Sequence, residues 1–468
     1  QISEVAVLFS NRFPLTAPLA IMSKARPGFL PLLSNDALPD KLTAIRGSPE
    51  ASLCGATVGF CVGFSAVSLF GPTALLFKEM LGLSQMEISW LIAAPTLSGS
   101  LLRIPFAAWV DANGGRTPFL TLLCMSIMGM VGLLLVLGQI SELKHLPCLY
   151  PLLWSLAVLV GCGIAAFSVG IGQISYWFPQ RDQGRVNGLY AGIGNLAPGA
   201  IALALPFLLQ KVSLFTAYLM WLVMLVSGTA VYVVLGQSAW YFQLRECGSS
   251  PEEALTESVN VYGQELFPSG GTIKALSLAA STWKTWALVM IYFATFGGVV
   301  ALTAWLPSYW STFHGAAATT AGELTALFSM GACLIRVLGG PISDRLGGEE
   351  TLRASTLVMA IGAFMMRLAS KERFELAVFG EIVLAMGMGV ANAAVFKLVP
   401  QEVPHAVGGA AGWVGGLGAF GGFAIPPLLG LCISRGGPEG HQMSFIVFIA
   451  LAALAFLVSE ALSRARRG

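Results

Sequence analysis

The sequence predicts an all-α integral membrane protein whose twelve transmembrane helices form two pseudo-symmetric six-helix bundles. Composition, long apolar runs and an internal repeat predict this fold. Of the 468 residues, 56% are hydrophobic and only 11% are charged, and the mean hydropathy is +0.75. Because a soluble domain carries about 25% charged residues, most of this chain must face lipid or other apolar helices.

The apolar runs are continuous rather than alternating, which favours helices over strands. About 20 apolar residues span the bilayer core, where only helices and closed barrels satisfy the backbone. Twelve such runs occur, six on each side of a polar break. They are expected near residues 54–77, 87–110, 118–139, 147–177, 186–210, 214–236, 283–308, 320–342, 354–369, 374–399, 406–434 and 442–462.

These runs predict five parts of the chain. They are an N-terminal cytoplasmic tail (1–52), a first six-helix bundle (53–236), a cytoplasmic linker (237–282), a second six-helix bundle (283–462) and a basic C-terminal tail (463–468). The polar composition of the first part favours a disordered tail over a remnant of a targeting segment.

The positive charges predict the orientation. If the N-terminus is cytoplasmic, both tails and the loops on that side hold 16 of the 26 Lys and Arg residues, whereas the opposite loops hold seven. By the positive-inside rule both termini are then cytoplasmic, in a plasma membrane or a bacterial inner membrane. The other three basic residues, Arg103, Arg336 and Lys397, lie within predicted spans.

The two halves repeat. RIPFAAWVDANGGR begins at Arg103 and RVLGGPISDRLGG at Arg336, so that Arg103 and Arg336, like Asp111 and Asp344, are 233 residues apart. Six-helix halves that share a site near their interface are typical of secondary transporters. No cofactor, metal or nucleic acid is expected, because the net charge is only +2, the cysteines form no CxxC pair and the histidines fall in or beside predicted loops.

The paired arginines predict an anion site. An intramembrane arginine is costly and normally has a partner, yet of the 24 acidic residues only Glu381 lies well inside a predicted span. Snorkelling to the headgroups is the alternative, but it does not explain why arginine recurs at the same depth in both halves. Two guanidinium groups without matching carboxylates would attract a small anion and bind it by charge-assisted hydrogen bonds.

The loop after each arginine helix also repeats a charged pair. Asp111 with Arg116, and Asp344 with Arg345, are expected to cap or salt-bridge helix ends and to hold one side of the protein closed in one state. The alternative is ordinary cytoplasmic charge. The aspartate at the same spacing in both halves favours the gating interpretation.

Two glycine-rich segments, GRVNGLYAGIGNLAPG and GGAAGWVGGLGAFGG, lie within predicted helices. Small residues allow close helix approach and sliding, and they also bring backbone near a ligand, so packing and direct contact both remain open. Asn195 within the first segment is a candidate hydrogen-bond donor to an anion. The glycines singled out are Gly188, Gly192, Gly194, Gly412, Gly415, Gly416 and Gly418.

Three aromatic residues complete the candidate site. Tyr292 and Phe296 are four residues apart in the seventh predicted helix, so they share one face, and Phe167 lies in the fourth. Such residues are usually packed in a core or facing lipid. Beside an arginine pair, flat rings could sandwich a planar anion.

Together these segments resemble the nitrate/nitrite porter family of the major facilitator superfamily, from Leu53 to about Val458. AFSVGIGQISYWFPQRDQG with GLYAGIGNLAPG is similar to the family's first nitrate signature, and GGAAGWVGGLGAFGGFAIPP to its second. YFATFG and RVLGGPISDRLGG also match. Tyr190 and Trp413 depart from the family pattern, which has smaller residues there.

The resemblance implies the major facilitator fold and a monomeric secondary transporter in the lipid bilayer. Arg103 and Arg336 would clamp nitrate or nitrite, Phe167, Tyr292 and Phe296 would line the pocket, and Asn195 would lie close by. Nitrate/nitrite exchange and proton-coupled symport, with protons as a further partner, both remain open. So do a carrier of another small anion, such as a formate-like carboxylate, and a non-transporting nitrate sensor. An enzyme is not expected.

Overall fold

The computed structural model describes residues 45–143, 148–179, 182–268, 271–403 and 406–467. All regular elements within these ranges are helical, which confirms the all-α class. The predicted disorder of the tail falls on residues 1–44, outside the described residues.

Twelve helices are long and apolar enough to cross a membrane, so the protein is a multi-pass membrane protein. They are named α1 to α12 in chain order: Pro49–Ser68, Gln85–Asn113, Arg116–Gly138, Leu149–Trp177, Val186–Leu209, Leu214–Leu235, Trp283–Phe313, Ala318–Ser343, Gly348–Leu368, Phe374–Val399, Gly409–Gly436 and Gly440–Ala465.

Two equivalent helices, α1 and α7, are the most buried of the twelve. The halves meet mainly along two pairs, α2 with α11 and α5 with α8. Large apolar side chains are exposed on the outer helices, among them Leu135, Val234 and Leu457. This distribution fits helices whose outer faces contact lipid and whose core lies between the halves.

The first helix differs from its predicted bounds of 54–77. Ser48 caps it by accepting a hydrogen bond from the Ala51 N–H at 3.2 Å, and the proline at position 49 suits the first turn. Its last turn ends at Ser68, and a separate short helix follows at Ala74–Leu81. Pro72 explains the interruption, because proline lacks an N–H and disfavours a helical residue before it.

The repeat extends to backbone conformation at the ends of α2 and α8. Gly114 and Gly347 terminate these helices with φ values of 79° and 90°, and they are 233 residues apart, like the arginines. Arg103 and Arg336 each lie 18 residues after the first residue of their span. The two halves therefore share the arginine position and the glycine conformation that ends the helix.

The polar linker contains three short helices, Trp240–Glu246, Pro251–Asn260 and Thr272–Ala280. The second is capped by Ser250, whose side chain accepts from Glu253 N while the Glu253 carboxylate accepts from Ser250 N. We call the side of the protein that carries the linker the linker face, and the opposite side the far face.

The final helix, Phe445–Arg467, continues through most of the predicted basic tail, 463–468. Glu460 explains this extension, because its carboxylate pairs with Arg464 one turn later at 3.1 Å and with Arg353 of α9 at 3.0 Å. Such pairs stabilise the last turns of a helix.

Three membrane helices are irregular, two of them near their middle and α7 both near its middle and at its end. The α-helix of α2 is interrupted at Leu102, directly before Arg103, and that of α11 at residues 418–420. In α7, π-helical turns occur at Phe293–Gly297 and Tyr309–Phe313. Turns of this kind are often found at functional sites.

Replacement of Gly347 by alanine tests the helix-end conformation. An L side chain at φ 90° should reduce stability by about 1–3 kcal/mol. The measurement is the Tm of the purified protein in detergent. Gly331→Ala in the interior of α8, where an added Cβ meets no atom within 4 Å, is the matched control and should leave Tm unchanged or raise it. Equal effects of the two substitutions would contradict this assignment.

Candidate anion site between the two halves

Arg103 is fully buried at the interruption in α2, with 1% of its surface exposed. Its Nε donates to the Gly99 carbonyl at 3.0 Å within its own half. Its Nη1 donates to the Gly415 carbonyl of α11 at 2.9 Å, in the other half. The guanidinium group therefore joins the two halves through two backbone carbonyls.

Arg336 approaches the same region from α8 and is half-buried. Its Nη1 donates to the Tyr292 hydroxyl at 3.3 Å. Its Cζ lies 6.0 Å from the centroid of the Tyr292 ring and 5.6 Å from that of Phe396. Aromatic faces of α7 and α10 therefore hold this guanidinium group.

Both arginines contact the ring of Phe296. The Cζ atoms of Arg103 and Arg336 are each 5.7 Å from the centroid of its ring, so their separation is at most twice that distance. Tyr292 stacks on Phe296 with centroids 4.9 Å apart and planes 9° from parallel. The π-helical turn of α7 carries Phe296, and its ring is therefore shared by the two charges.

Phe167 covers the other side of Arg103, with its ring centroid 5.0 Å from Cζ. Phe60 contacts this ring at 5.3 Å and stacks on Tyr190 at 5.1 Å. The Tyr190 hydroxyl donates to the Ala166 carbonyl at 2.9 Å. Tyr190, which departs from the family pattern, therefore packs behind Phe167 and supports it.

The positive charge at this site has no carboxylate counterpart among the described residues, where neither arginine forms an ion pair. Contacts between a cation and an aromatic ring stabilise it by about 0.5–2 kcal/mol each, but they leave the charge in place. Two like charges near one ring also repel each other. A bound anion would relieve both effects.

Two small voids lie between the two halves, and residues of both halves line them. One contacts Asn195, Phe64 and Phe296. The other contacts Arg103, Phe64 and Ala419. The Asn195 side chain is 4% exposed and its Oδ1 has no hydrogen-bond partner among the described residues. Because an amide oxygen only accepts, an anion beside this side chain would bind its Nδ2 group.

The glycine-rich helices contribute both packing and direct contact. An added Cβ on Gly194 would lie 1.9 Å from Phe60 Cδ1, and one on Gly418 would lie 2.6 Å from Tyr292 Cδ1. These glycines allow aromatic residues of the site to lie against the helix backbone. The Gly415 carbonyl contacts Arg103 directly.

The other predicted glycines differ among themselves. An added Cβ on Gly416 would lie 2.8 Å from Ile104 Cγ1, and one on Gly412 would lie 3.4 Å from Leu276 Cδ2. Gly188 and Gly192 face open space, with nothing within 4 Å of such an atom. In this conformation, only part of the glycine stripe is needed for close packing.

The predicted loop pairs lie apart from the arginines, towards the linker face. Arg116 caps α6 by donating to the Gly236 and Val233 carbonyls, both at 2.8 Å. The Asp111 carboxylate accepts from the Tyr176 hydroxyl at 2.6 Å. Arg345 is exposed, and the side chain of Asp344 lies outside the described residues. Their gating role stays a prediction.

Sequence reasoning missed three aromatic residues of the site, Phe60, Phe64 and Phe396. Phe60 and Phe64 precede Tyr292 and Phe296 by 232 residues each, one less than the arginine offset. Extending the repeat to the first helix could have found them. Phe396 gave no such signal, since a single aromatic residue in an apolar helix is ordinary.

A positive site between two six-helix halves defines a membrane transporter of the secondary type. The family profile described as Major Facilitator Superfamily matches residues 56–370 and 288–467. A Thermus thermophilus protein named "Probable nitrate/nitrite antiporter NarK1" is 31% identical over 424 residues, covering 86% of this chain and 88% of its own length. The chain belongs to the nitrate/nitrite porter family of the major facilitator superfamily.

Other relatives and solved structures agree with this assignment. "Probable nitrate/nitrite transporter NarK2" of Mycobacterium tuberculosis is 30% identical, covering 81% of this chain and 88% of its own. The Bacillus subtilis "Nitrite extrusion protein" is 27% identical, covering 80% and 85%. The E. coli xylose transporter XylE, in a partially occluded inward-open conformation, shares the fold with a TM-score of 0.65 at 13% identity, covering 87% of this chain and 96% of its own.

Replacement of Tyr190 by alanine tests the support behind Phe167. Loss of a fully buried ring should destabilise the protein by about 3–5 kcal/mol, measured as a lower Tm in detergent. Tyr190→Phe keeps the ring and loses only the hydrogen bond to Ala166, so its Tm should fall much less. A Tm of Tyr190→Ala equal to that of the wild type would show that the ring does not support the site.

Proposed function

We propose that this protein carries nitrate, nitrite or both across its membrane by alternating access, with the anion clamped between Arg103 and Arg336. One observation carries the proposal. The two guanidinium groups lie at equal distances from the Phe296 ring, and no described carboxylate pairs with either.

The chemistry of the surrounding side chains supports a small planar anion. Each guanidinium group presents several donors in one plane, which suits an anion with oxygen atoms in a plane. Phe167, Tyr292 and Phe296 supply flat walls that limit thickness, and Asn195 supplies an amide at the edge. Nitrate and nitrite are both flat and singly charged.

The names of the relatives support the same cargo. The Thermus thermophilus and Mycobacterium tuberculosis proteins are named for nitrate and nitrite, and the Bacillus subtilis protein for nitrite extrusion. The arrangement of the two arginines and the aromatic rings is consistent with those names.

Neutralisation of the two positive charges by the anion drives the conformational change. In the empty carrier, two like charges lie on opposite halves and resist a closer approach. An anion between them removes that repulsion and favours the closed state, after which the halves rock and open on the other side. Such a carrier switches more readily when loaded, so exchange of one anion for another is faster than the return of the empty carrier.

The proposed topology places both termini and the linker in the cytoplasm, in accordance with the positive-inside rule. The linker face is then cytoplasmic. Arg116, which begins α3 and caps the end of α6, and the loop after α8 would help to close that side in one state.

Substitution of either arginine by lysine tests the clamp. Arg103→Lys and Arg336→Lys should each abolish nitrate and nitrite uptake into proteoliposomes, because a point ammonium group does not reproduce the planar donors of guanidinium. The measurement is initial uptake of labelled nitrate or nitrite at equal protein density.

Arg435→Lys, at an exposed position at the end of α11, is the matched control and should transport like the wild type. Uptake at the wild-type rate by either of the two site variants would contradict the clamp.

Removal of the Phe296 ring, which both arginines contact, tests the walls of the proposed pocket. Phe296→Ala should weaken nitrate binding by about 1–3 kcal/mol, since both guanidinium groups lose a shared cation–π contact and their fixed spacing. Isothermal titration of the purified protein with nitrate measures this. Phe364→Ala, on the exposed face of α9, should bind like the wild type. Unchanged affinity of Phe296→Ala would remove the ring from the site.

Two other outcomes of flux measurements would redirect the proposal. Stronger inhibition of uptake by formate than by nitrate or nitrite would indicate a carrier of small carboxylates. Nitrate binding without flux in proteoliposomes would indicate a sensor that uses the transporter fold.

A further inference from the structure

A second buried polar cluster lies in the C-terminal half, near the far face. Its centre is Glu381, seven residues after the start of α10, with 1% of its surface exposed. Neither carboxyl oxygen has a hydrogen-bond partner among the described residues. A buried ionised carboxylate without a partner is costly, whereas the neutral acid is far less so. This position therefore favours a carboxyl group that holds a proton.

Two residues of α7 face this carboxyl group. Trp310 presents its indole to Glu381, and Trp310 Nε1 makes no hydrogen bond of normal geometry. Tyr309 is fully buried and lies within electrostatic range of the same carboxyl. The indole N–H is a donor only, so it can interact with the carboxyl group in either protonation state.

His314 connects this cluster with the far face of the protein. The loop after α7 carries it, half-buried, and its Nε2 lies 3.0 Å from the Tyr309 hydroxyl. Burial lowers the pKa of His314 below its usual 6.5, so the ring is neutral near pH 7. A neutral imidazole has one nitrogen that donates and one that accepts, which allows a proton to pass through it.

Other charged groups near this end leave the carboxyl unpaired. His441 at the start of α12 is buried against Phe313, and Lys371 lies 5.9 Å from the same ring. On the helices packed against α10, Gly362 of α9 lies against the α10 backbone beside Gly380. Charged side chains at this end of α8, α9 and α10 are Glu323, Arg367, Glu372, Arg373 and Glu375, and none of them forms an ion pair with Glu381.

The same helix serves both clusters. The two π-helical turns of α7 carry Phe296 of the anion site and Tyr309 of this cluster. Phe296 and Tyr309 are 13 positions apart, which is about 20 Å along a helix, so the two sites are separate. A movement of α7 changes the surroundings of both.

We propose that the Glu381 carboxyl is a proton-binding site, distinct from the anion site, through which one proton accompanies each transported anion. The proton enters from water at the far face, passes through His314 and the Tyr309 hydroxyl, and is held on Glu381. It leaves for water on the linker face when α7 and α10 rearrange during the transport step. This inference rests on the proposed nitrate or nitrite transport, and it makes symport the coupled mode.

Proteoliposomes with an imposed pH gradient test the proposal. With one proton per anion, an interior more alkaline by about one pH unit should drive about tenfold accumulation of nitrate or nitrite. Counterflow of labelled against unlabelled anion, without a gradient, is measured on the same vesicles.

Glu381→Gln keeps the shape of the side chain and removes the titrating group. This variant should retain counterflow within about twofold of the wild type and lose accumulation driven by the gradient. Glu375→Gln, at an exposed position in the first turn of α10, is the matched control and should accumulate like the wild type. Accumulation by Glu381→Gln equal to that of the wild type would overturn the proton site.

The wild type separates the two proposals. Counterflow without any response to the pH gradient would overturn the proton site and leave the anion carrier standing. Absence of both nitrate and nitrite flux would overturn the carrier and, with it, the proton site.

A second variant keeps the test decisive if Glu381→Gln does not fold. Tyr309→Phe retains the ring packing and removes the hydroxyl that contacts His314. Its initial rate of gradient-driven uptake should fall by about tenfold or more, as expected when a positioned proton-transfer group is lost, with counterflow preserved. Gradient-driven uptake at the wild-type rate would overturn the proposed path.

Discussion

Two guanidinium groups, whose positive charge no described carboxylate offsets, govern the rest of this structure. Removing a charge from water into a membrane protein costs at least about 2.5–3.5 kcal/mol. Hydrogen bonds from Arg103 to two carbonyls, and aromatic rings against both arginines, recover part of that cost. Under the proposed function, an anion between the halves would recover the remainder. An unfavourable empty site and a favourable loaded one are what a carrier requires to switch with its cargo.

The glycine-rich helices couple that switch directly to helix movement. Arg103 of α2 donates to the backbone of Gly415 rather than to a flexible side chain. Within the second half, Gly418 of α11 admits Tyr292 of α7, and Gly421 lies against Gly297. Because a carbonyl moves only with its helix, any shift of α11 against α2 stretches the bond to the arginine. Under the proposed function, anion binding and movement between the halves would therefore both act on Arg103.

Much of this architecture could be predicted from sequence, since buried charge, apolar length and repeat offset are each visible along the chain. The twelve spans and the all-α class follow from them, and so does the choice of Arg103 and Arg336 as candidate residues. The end of α1 was misplaced because apolar residues continue past the turn at Pro72. Phe396 and the neighbours of Glu381 depend on contacts between helices distant in sequence, which local pattern does not encode. Trp310, for example, looks like an ordinary residue at a helix end until α10 places a buried carboxyl beside it.

The most direct test of the central claim is a double-mutant cycle on nitrate affinity. Isothermal titration would compare the wild type with Arg103→Ala, Arg336→Ala and the double variant, all purified as the full chain. A shared clamp predicts that each single substitution removes most of the binding energy and that the second adds little, with a coupling energy of about 0.5–3 kcal/mol between them. The account would be contradicted if the losses of binding free energy in the two single variants sum to within about 0.5 kcal/mol of the loss in the double variant. It would also be contradicted if removal of either arginine left nitrate affinity unchanged.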